Sequence, residues 1–223
     1  EYTLRFYDQD TLRSENKVII GRYANQTPEF NAKLNSIVVY PYWNVPYSIT
    51  SKEMLPEAKK NPNYFERNHL KLFKKEEEID PNSVNWSKIK DETFPYKVRQ
   101  EPGFHNSLGI LKLEFSNNYS VYIHDTPSKS LFNTIERNYS HGCVRCHNVV
   151  DLAKTILIAD ENKHLPDSLD TLLFRATNYT ISLKKRIPIY LDYITVMPKY
   201  PNKLLFLKDV YLKDEKYLSI LFS

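Results

Sequence analysis

The apolar period of this chain changes across one short stretch, and that change limits the folds open to it. Leu108 to Phe115 alternates, with Leu111, Leu113 and Phe115 on one face. Tyr119 to His124 alternates too, with Val121 and Ile123 on one face and Tyr122 and His124 on the other. Successive side chains of a strand point to opposite sides, so both runs read as half-buried strands. From Asn148 to Ala159 the spacing becomes helical: Val149, Ala153, Ile156 and Leu157 form a stripe, Asn148 is a plausible N-cap, and Asp151 stands three residues on. Between the two regimes lies Ser140-His141-Gly142-Cys143-Val144-Arg145. Gly142 is one of only four glycines in 223 residues, so the turn it permits is one of few that a glycine can make here. A β-layer, a tight turn and a covering helix are the expected order.

Other β-branched runs bounded by turn residues read as strands: Lys17 to Gly21, Ser36 to Tyr40, Pro188 to Val196 and Leu204 to Tyr211. Ala24 to Asn35 is polar and reads as a loop. Residues 50–95 change character. Thr50 to Leu72 is charged and helix-compatible, broken by Pro56 and Pro62, with Thr50 or Ser51 as a cap and Glu53 in the first turn. Lys74-Lys75-Glu76-Glu77-Glu78 reads as a solvated charge run. The chain is mainly β with α, and long enough for one domain with a sizeable core.

The turn also carries chemistry. A thiol is a strong nucleophile only as thiolate, and a nearby imidazole is the usual way to make one near neutral pH. Cys143 sits after Gly142, with His141 two residues before it and His124 nineteen residues upstream at a strand end. Backbone N–H groups at such a turn could face an oxyanion. Covalent acyl transfer through Cys143 is therefore the expected chemistry, against the bland alternative of a small buried hydrophobe. Cys143 and Cys146 also form a C-x-x-C flanked by His141 and His147, which leaves a redox pair or half a metal site open. Seven consecutive residues converge poorly on one zinc ion, and no βαβ context precedes the pair, so one nucleophile beside an incidental thiol is preferred.

Composition excludes more than it assigns. A net charge of +4 without a Lys/Arg block argues against nucleic acid. No apolar run reaches the length of a membrane span. The sequence opens at Glu1, without methionine or a signal-peptide pattern, and is expected to be an excised or mature segment.

His124, fifteen residues, then Ser140-His141-Gly142-Cys143 resembles the signature of the YkuD-type L,D-transpeptidases, bacterial enzymes that cross-link peptidoglycan through a cysteine acyl-enzyme. Tyr42-Trp43-Asn44-Val45-Pro46, Arg99-Gln100-Glu101-Pro102-Gly103 and Ile123-His124-Asp125-Thr126-Pro127-Ser128 are similar to the YcbB-like branch of that family, and the resemblance covers most of residues 17–215. It implies a β-sandwich with a helix after the catalytic loop and a helical capping insert at about 50–95. It implies Cys143 as nucleophile, His124 as general base with the Asp125 carbonyl holding its tautomer, and His141, Gly142 and Cys143 as backbone donors to the oxyanion. Arg145 is expected to orient the stem peptide or steady the loop, and Tyr122 and Trp43 to line the groove. His105 and His147 look incidental, and Asn106 is a weaker candidate for the pocket. The implied partners are peptidoglycan stem peptides, with carbapenem β-lactams as inhibitors, no metal or organic cofactor, and a place in the periplasm or cell envelope with a part in cell shape. An L,D-carboxypeptidase with the same site is the alternative.

Overall fold

The computed structural model describes residues 1–61, 63–161, 165–199 and 201–221. Fourteen strands are found among them: β1 (Thr3–Asp8), β2 (Thr11–Gly21), β3 (Phe30–Val39), β4 (Trp43–Asn44), β5 (Leu70–Lys74), β6 (Glu77–Ile79), β7 (Lys97–Gln100), β8 (Leu111–Phe115), β9 (Ile123–His124), β10 (Asn138–Ser140), β11 (Val144–Cys146), β12 (Tyr179–Leu191), β13 (Val196–Lys199) and β14 (Lys203–Phe206). The main sheet runs β1-β2-β11-β9-β8-β3-β12, with β10 paired to β2. Its inner face and the helix Val149–Ala159 share one core. That helix buries Val149, Leu152, Ala153, Ile156 and Leu157, the i, i+3, i+4 stripe of an amphipathic helix. Leu111, Leu113 and Phe115 of β8 are buried while Glu114 is exposed, as the alternation requires.

Several sequence expectations shift in detail. The strand expected over Tyr119 to His124 pairs only at Ile123–His124. Ser120 adopts φ 57° there, which bends the chain out of the extended state. The loop expected over Ala24 to Asn35 ends early, because β3 already begins at Phe30 and pairs with β12 and β8. Pro188 to Val196 is divided between β12 and β13, and Leu204 to Tyr211 pairs only as far as Phe206. Asn148 precedes its helix in the left-handed region, φ 51°, without capping through its side chain.

The insert carries its own core. Met54, Leu55, Ala58, Phe65, Leu70, Leu72, Trp86, Phe94 and Val98 are buried together, with Phe65 stacked on Trp86 at 4.8 Å between ring centroids. A helical run over 47–60, π-helical at Thr50–Met54, covers a four-stranded sheet of order β4-β7-β5-β6. The insert expected to be helical thus combines helices with a small sheet. The charge run Lys74 to Glu78 is exposed, as expected, and forms a hairpin: Lys75 and Glu76 take φ 49° and 69° at its tip, and Lys74 pairs with Glu77.

Candidate active site

Two short strands assemble the site. β11 pairs parallel to β9, with Val144 opposite Ile123 and Arg145 opposite His124. Val144, Ile123 and Cys146 turn into the core. Alternation then sends Tyr122, His124 and Arg145 to the other face of the sheet, where Cys143 also lies. Cys146 is fully buried, and burial pushes its thiol up to about 12. The two cysteines are three residues apart in extended chain, so their side chains leave opposite faces. Both are free, and among the described residues no group of three His, Cys, Asp or Glu side chains is disposed to hold a metal ion.

The His124 ring is buried and its tautomer is fixed. Nδ1 lies 2.5 Å from the Asp125 carbonyl. A carbonyl only accepts, so Nδ1 carries the hydrogen and Nε2 of the neutral ring is the basic nitrogen. Asp125 is anchored in turn. Its N–H donates to the Leu111 carbonyl at 2.8 Å, and its carboxylate accepts the Ile110 N–H at 3.1 Å and pairs with Lys129. Gly109, at φ 62°, makes room for that carboxylate: a Cβ there would lie 2.3 Å from Asp125 Oδ2. Burial lowers the His124 pKa to about 3, helped by the charges of Arg145 and Lys112 and opposed by the facing carbonyls of Asp125 and Leu108.

Cys143 Sγ is 3.7 Å from the Ser120 carbonyl. Burial raises its pKa above the ordinary thiol value. Tyr122 beside the sulfur and the charges of Lys112 and Arg145 oppose that rise without cancelling it. Burial therefore favours the neutral form of the Cys143 thiol and of the His124 imidazole alike. Tyr122 is held between partners: its ring meets His124 edge to face at 5.5 Å, Lys112 Nζ sits 4.4 Å over it, and the Trp43 side chain lies by its hydroxyl. Burial, then the neighbouring sulfur, raises the Tyr122 pKa, so it stays a phenol. Trp43, half-buried, packs against the insert's core and so joins that core to the site.

Arg145 has a buried Nε without a hydrogen-bond partner, and no carboxylate among the described residues pairs with its guanidinium. Burial lowers its pKa. Among the described residues this arginine makes no structural salt bridge.

Gly142 takes φ 113°, and its N–H donates to Ser140 Oγ at 3.1 Å. That hydroxyl donates onward to the Cys143 carbonyl at 2.5 Å. The expected Gly142 oxyanion donor is thus engaged within the loop, and the glycine serves the turn instead. His141 points its Nε2 at Glu53 Oε1, 2.7 Å away, and Glu53 also receives Arg22 at 2.9 Å. Burial alone would raise Glu53, but the hydrogen bond from His141 and the charge of Arg22 hold it below the usual carboxylate value. Glu53 belongs to the insert, so this contact ties the insert to the catalytic turn.

The weaker candidates are structural. Asn106 is fully buried and knots three segments, donating to the Pro41 and Glu101 carbonyls at 3.1 and 2.9 Å and accepting the Leu108 N–H at 2.8 Å. His105 stacks on His69 at 4.0 Å and His147 meets Phe132 at 5.1 Å, both away from the thiol's partners. Sequence reasoning missed Lys112 and Glu53. Lys112 is opposite His124 in the register of β8 and β9, and an alternating strand facing a histidine was the available signal.

Residues 1–166 match the family described as the L,D-transpeptidase catalytic domain, YkuD. The chain is also 33% identical over 216 residues to a Haemophilus influenzae protein named "Putative L,D-transpeptidase", covering 96% of this chain and 43% of that protein. The chain belongs to the YkuD family of L,D-transpeptidase catalytic domains. It spans less than half the length of the curated relative it matches. No helix among the described residues is long and apolar enough to cross a membrane.

Proposed function

We propose that this chain is the catalytic unit of an L,D-transpeptidase of the YcbB-like branch, joining peptidoglycan stem peptides 3→3 through an acyl-enzyme on Cys143. One observation carries the reading: the β9–β11 pairing gathers a thiol, a tautomer-fixed imidazole and a half-buried arginine whose Nε has no partner on one face. The thiol attacks the carbonyl between the third and fourth stem residues, an L-centre followed by a D-centre. Its proton passes to His124 Nε2 as the Sγ–C bond forms. The tetrahedral oxyanion is stabilised by the Cys143 N–H. The C–N bond then breaks, and His124 returns the proton to the departing D-alanine amine. An acceptor side-chain amine attacks the thioester, loses its proton to His124, and releases the thiolate, which takes that proton back. The neutral resting pair means the thiolate arises only as substrate arrives, which limits idle alkylation and oxidation of the sulfur.

Arg145 is suited to a stem carboxylate, since a half-buried guanidinium with an unpartnered Nε gains from an anionic partner. Tyr122 and Trp43 line the approach to the sulfur. A substrate outside the cytoplasm puts the enzyme in the periplasm or cell envelope, where 3→3 cross-links support cell shape. Carbapenems, which present a strained acyl carbonyl to the same thiol, would inhibit it. The L,D-carboxypeptidase alternative uses the same acyl-enzyme with water as acceptor. An insert with its own core, bonded to the catalytic turn through Glu53, favours transfer, because a cap that excludes water protects the thioester.

Mass spectrometry of products from a tetrapeptide stem decides between the two: dimer is expected, and tripeptide alone would leave only the carboxypeptidase. His124→Ala should slow single-turnover acylation by roughly 10²–10⁴, and more than His141→Ala, which keeps its N–H. The reverse order would move the base to His141.

A further inference from the structure

We infer that Thr27 is a positioning residue that aims the Cys143 N–H at the oxyanion, and that Tyr211 holds Thr27 for this purpose. The inference rests on the reading of Cys143 as an acyl-transfer nucleophile. The Gly142 carbonyl and the Cys143 N–H belong to one peptide unit. In a trans peptide these two groups point in opposite directions. Whatever fixes that carbonyl therefore fixes the direction of the N–H. The group that fixes it is Thr27, whose hydroxyl donates to the Gly142 carbonyl at 2.9 Å. Among the described residues no acceptor is bonded to the Cys143 N–H itself, so this donor remains open to a ligand. The Gly142 N–H is already spent on Ser140 Oγ. With one of the three expected donors engaged, the aim of the Cys143 N–H matters more than it would with all three free.

Thr27 is held without slack. Its hydroxyl accepts the Gly21 N–H at 2.9 Å, so its single hydrogen is left for Gly142. Its own N–H donates to the Tyr211 hydroxyl at 3.1 Å, and that hydroxyl donates to the Gly21 carbonyl at 2.8 Å. Tyr211 is buried and its ring stacks on Tyr193 at 4.9 Å. Gly21 closes the circuit by its lack of a side chain: a Cβ there would lie 2.0 Å from the Asn25 carbonyl oxygen and 2.7 Å from the Thr27 nitrogen. The segment beyond β14 thereby reaches the catalytic turn through two hydroxyls. A donor aimed in advance at developing charge costs no reorganisation during reaction, which is where such groups gain their effect.

The test compares two electrophiles on the same sulfur. A carbapenem is opened by Sγ–C bond formation with a negatively charged tetrahedral oxygen; the lactam C–N bond breaks and the thiol proton goes to the lactam nitrogen. Iodoacetamide is displaced at saturated carbon, with iodide leaving and no oxyanion. Thr27→Val should slow carbapenem acylation of Cys143 by at least about tenfold, a fraction of the 10²–10³ lost with a whole oxyanion donor. Alkylation should stay within about twofold, since that step develops no charge on oxygen. Thr27→Ser should restore acylation. Tyr211→Phe, which keeps the ring, should slow acylation in the same direction with alkylation unchanged. Acylation at the wild-type rate in Thr27→Val, parallel loss of both reactions, or no rescue by serine would overturn the inference. A wild-type chain alkylated at Cys143 but never acylated would overturn the acyl-transfer reading, and this role with it.

Discussion

His124 should make the protein less stable in mild acid, by an amount the structure sets. Its ring is buried and neutral, with a pKa lowered to about 3 by burial and by the charges of Arg145 and Lys112. In the unfolded chain the same ring has a pKa of about 6.5. Between these values the unfolded state binds a proton that the folded state refuses, so stability falls as pH drops below about 6.5 and the loss is complete near the folded value. Two pH units, from 7 to 5, cross about 1.5 units of that window, worth about 2 kcal/mol at 1.36 kcal/mol per unit. Other groups titrate too, so the useful quantity is a difference. Urea unfolding of the wild type and of His124→Gln at pH 7, 6 and 5 should show the wild type losing about 2 kcal/mol more than the variant by pH 5. The whole range measured lies above the folded pKa, so the folded ring stays neutral throughout it. A difference that stays flat within about 0.5 kcal/mol would mean that the ring protonates in the folded state, and the neutral resting pair would be wrong.

Cys143→Ala should abolish acylation, whereas Cys146→Ala should keep most of it and lose about 1 kcal/mol of stability from the emptied core position; equal loss of acylation in two folded variants would revive a C-x-x-C mechanism. A carbapenem should add once, at Cys143, by peptide mapping; an adduct at Cys146 counts against the site. Phe65→Ala should cost about 3–5 kcal/mol within the insert's core, and, if the insert guards the thioester, shift products from dimer towards tripeptide; an unchanged ratio with the insert unfolded would remove it from the reaction.

The strongly periodic parts of the fold were legible. Leu111, Leu113 and Phe115 needed only a two-residue period, and the stripe on Val149–Ala159 only a helical one. Elements held by pairing rather than pattern were not. β9 and β11 are two and three residues long, too short for any period, and exist because β2 and β8 flank them. The insert's sheet hid behind charge: Lys71, Lys74, Glu77 and Glu78 face solvent on strands whose buried side is carried by Leu70 and Leu72. The motif named Cys143, His124 and Arg145 through resemblance. Thr27 and Glu53 lie far from it in sequence, and no local spacing could bring them to it.

The shortness of β11, which no period reveals, explains why the C-x-x-C stayed ambiguous on sequence alone. A spacing of three has opposite meanings in the two regular states. On a helix, residues three apart share a face and could bond or bind a metal together; in extended chain they leave opposite faces. Val144–Cys146 is extended, so Cys146 goes to the core with Val144, while Cys143 joins Arg145 beside His124. The same parity forbids a one-residue slip of β11 against β9, which would bury Arg145 in the core and expel Val144. The aliphatic side chains of Val144 and Ile123 thus set the register, and the register brings the arginine and the histidine to the thiol.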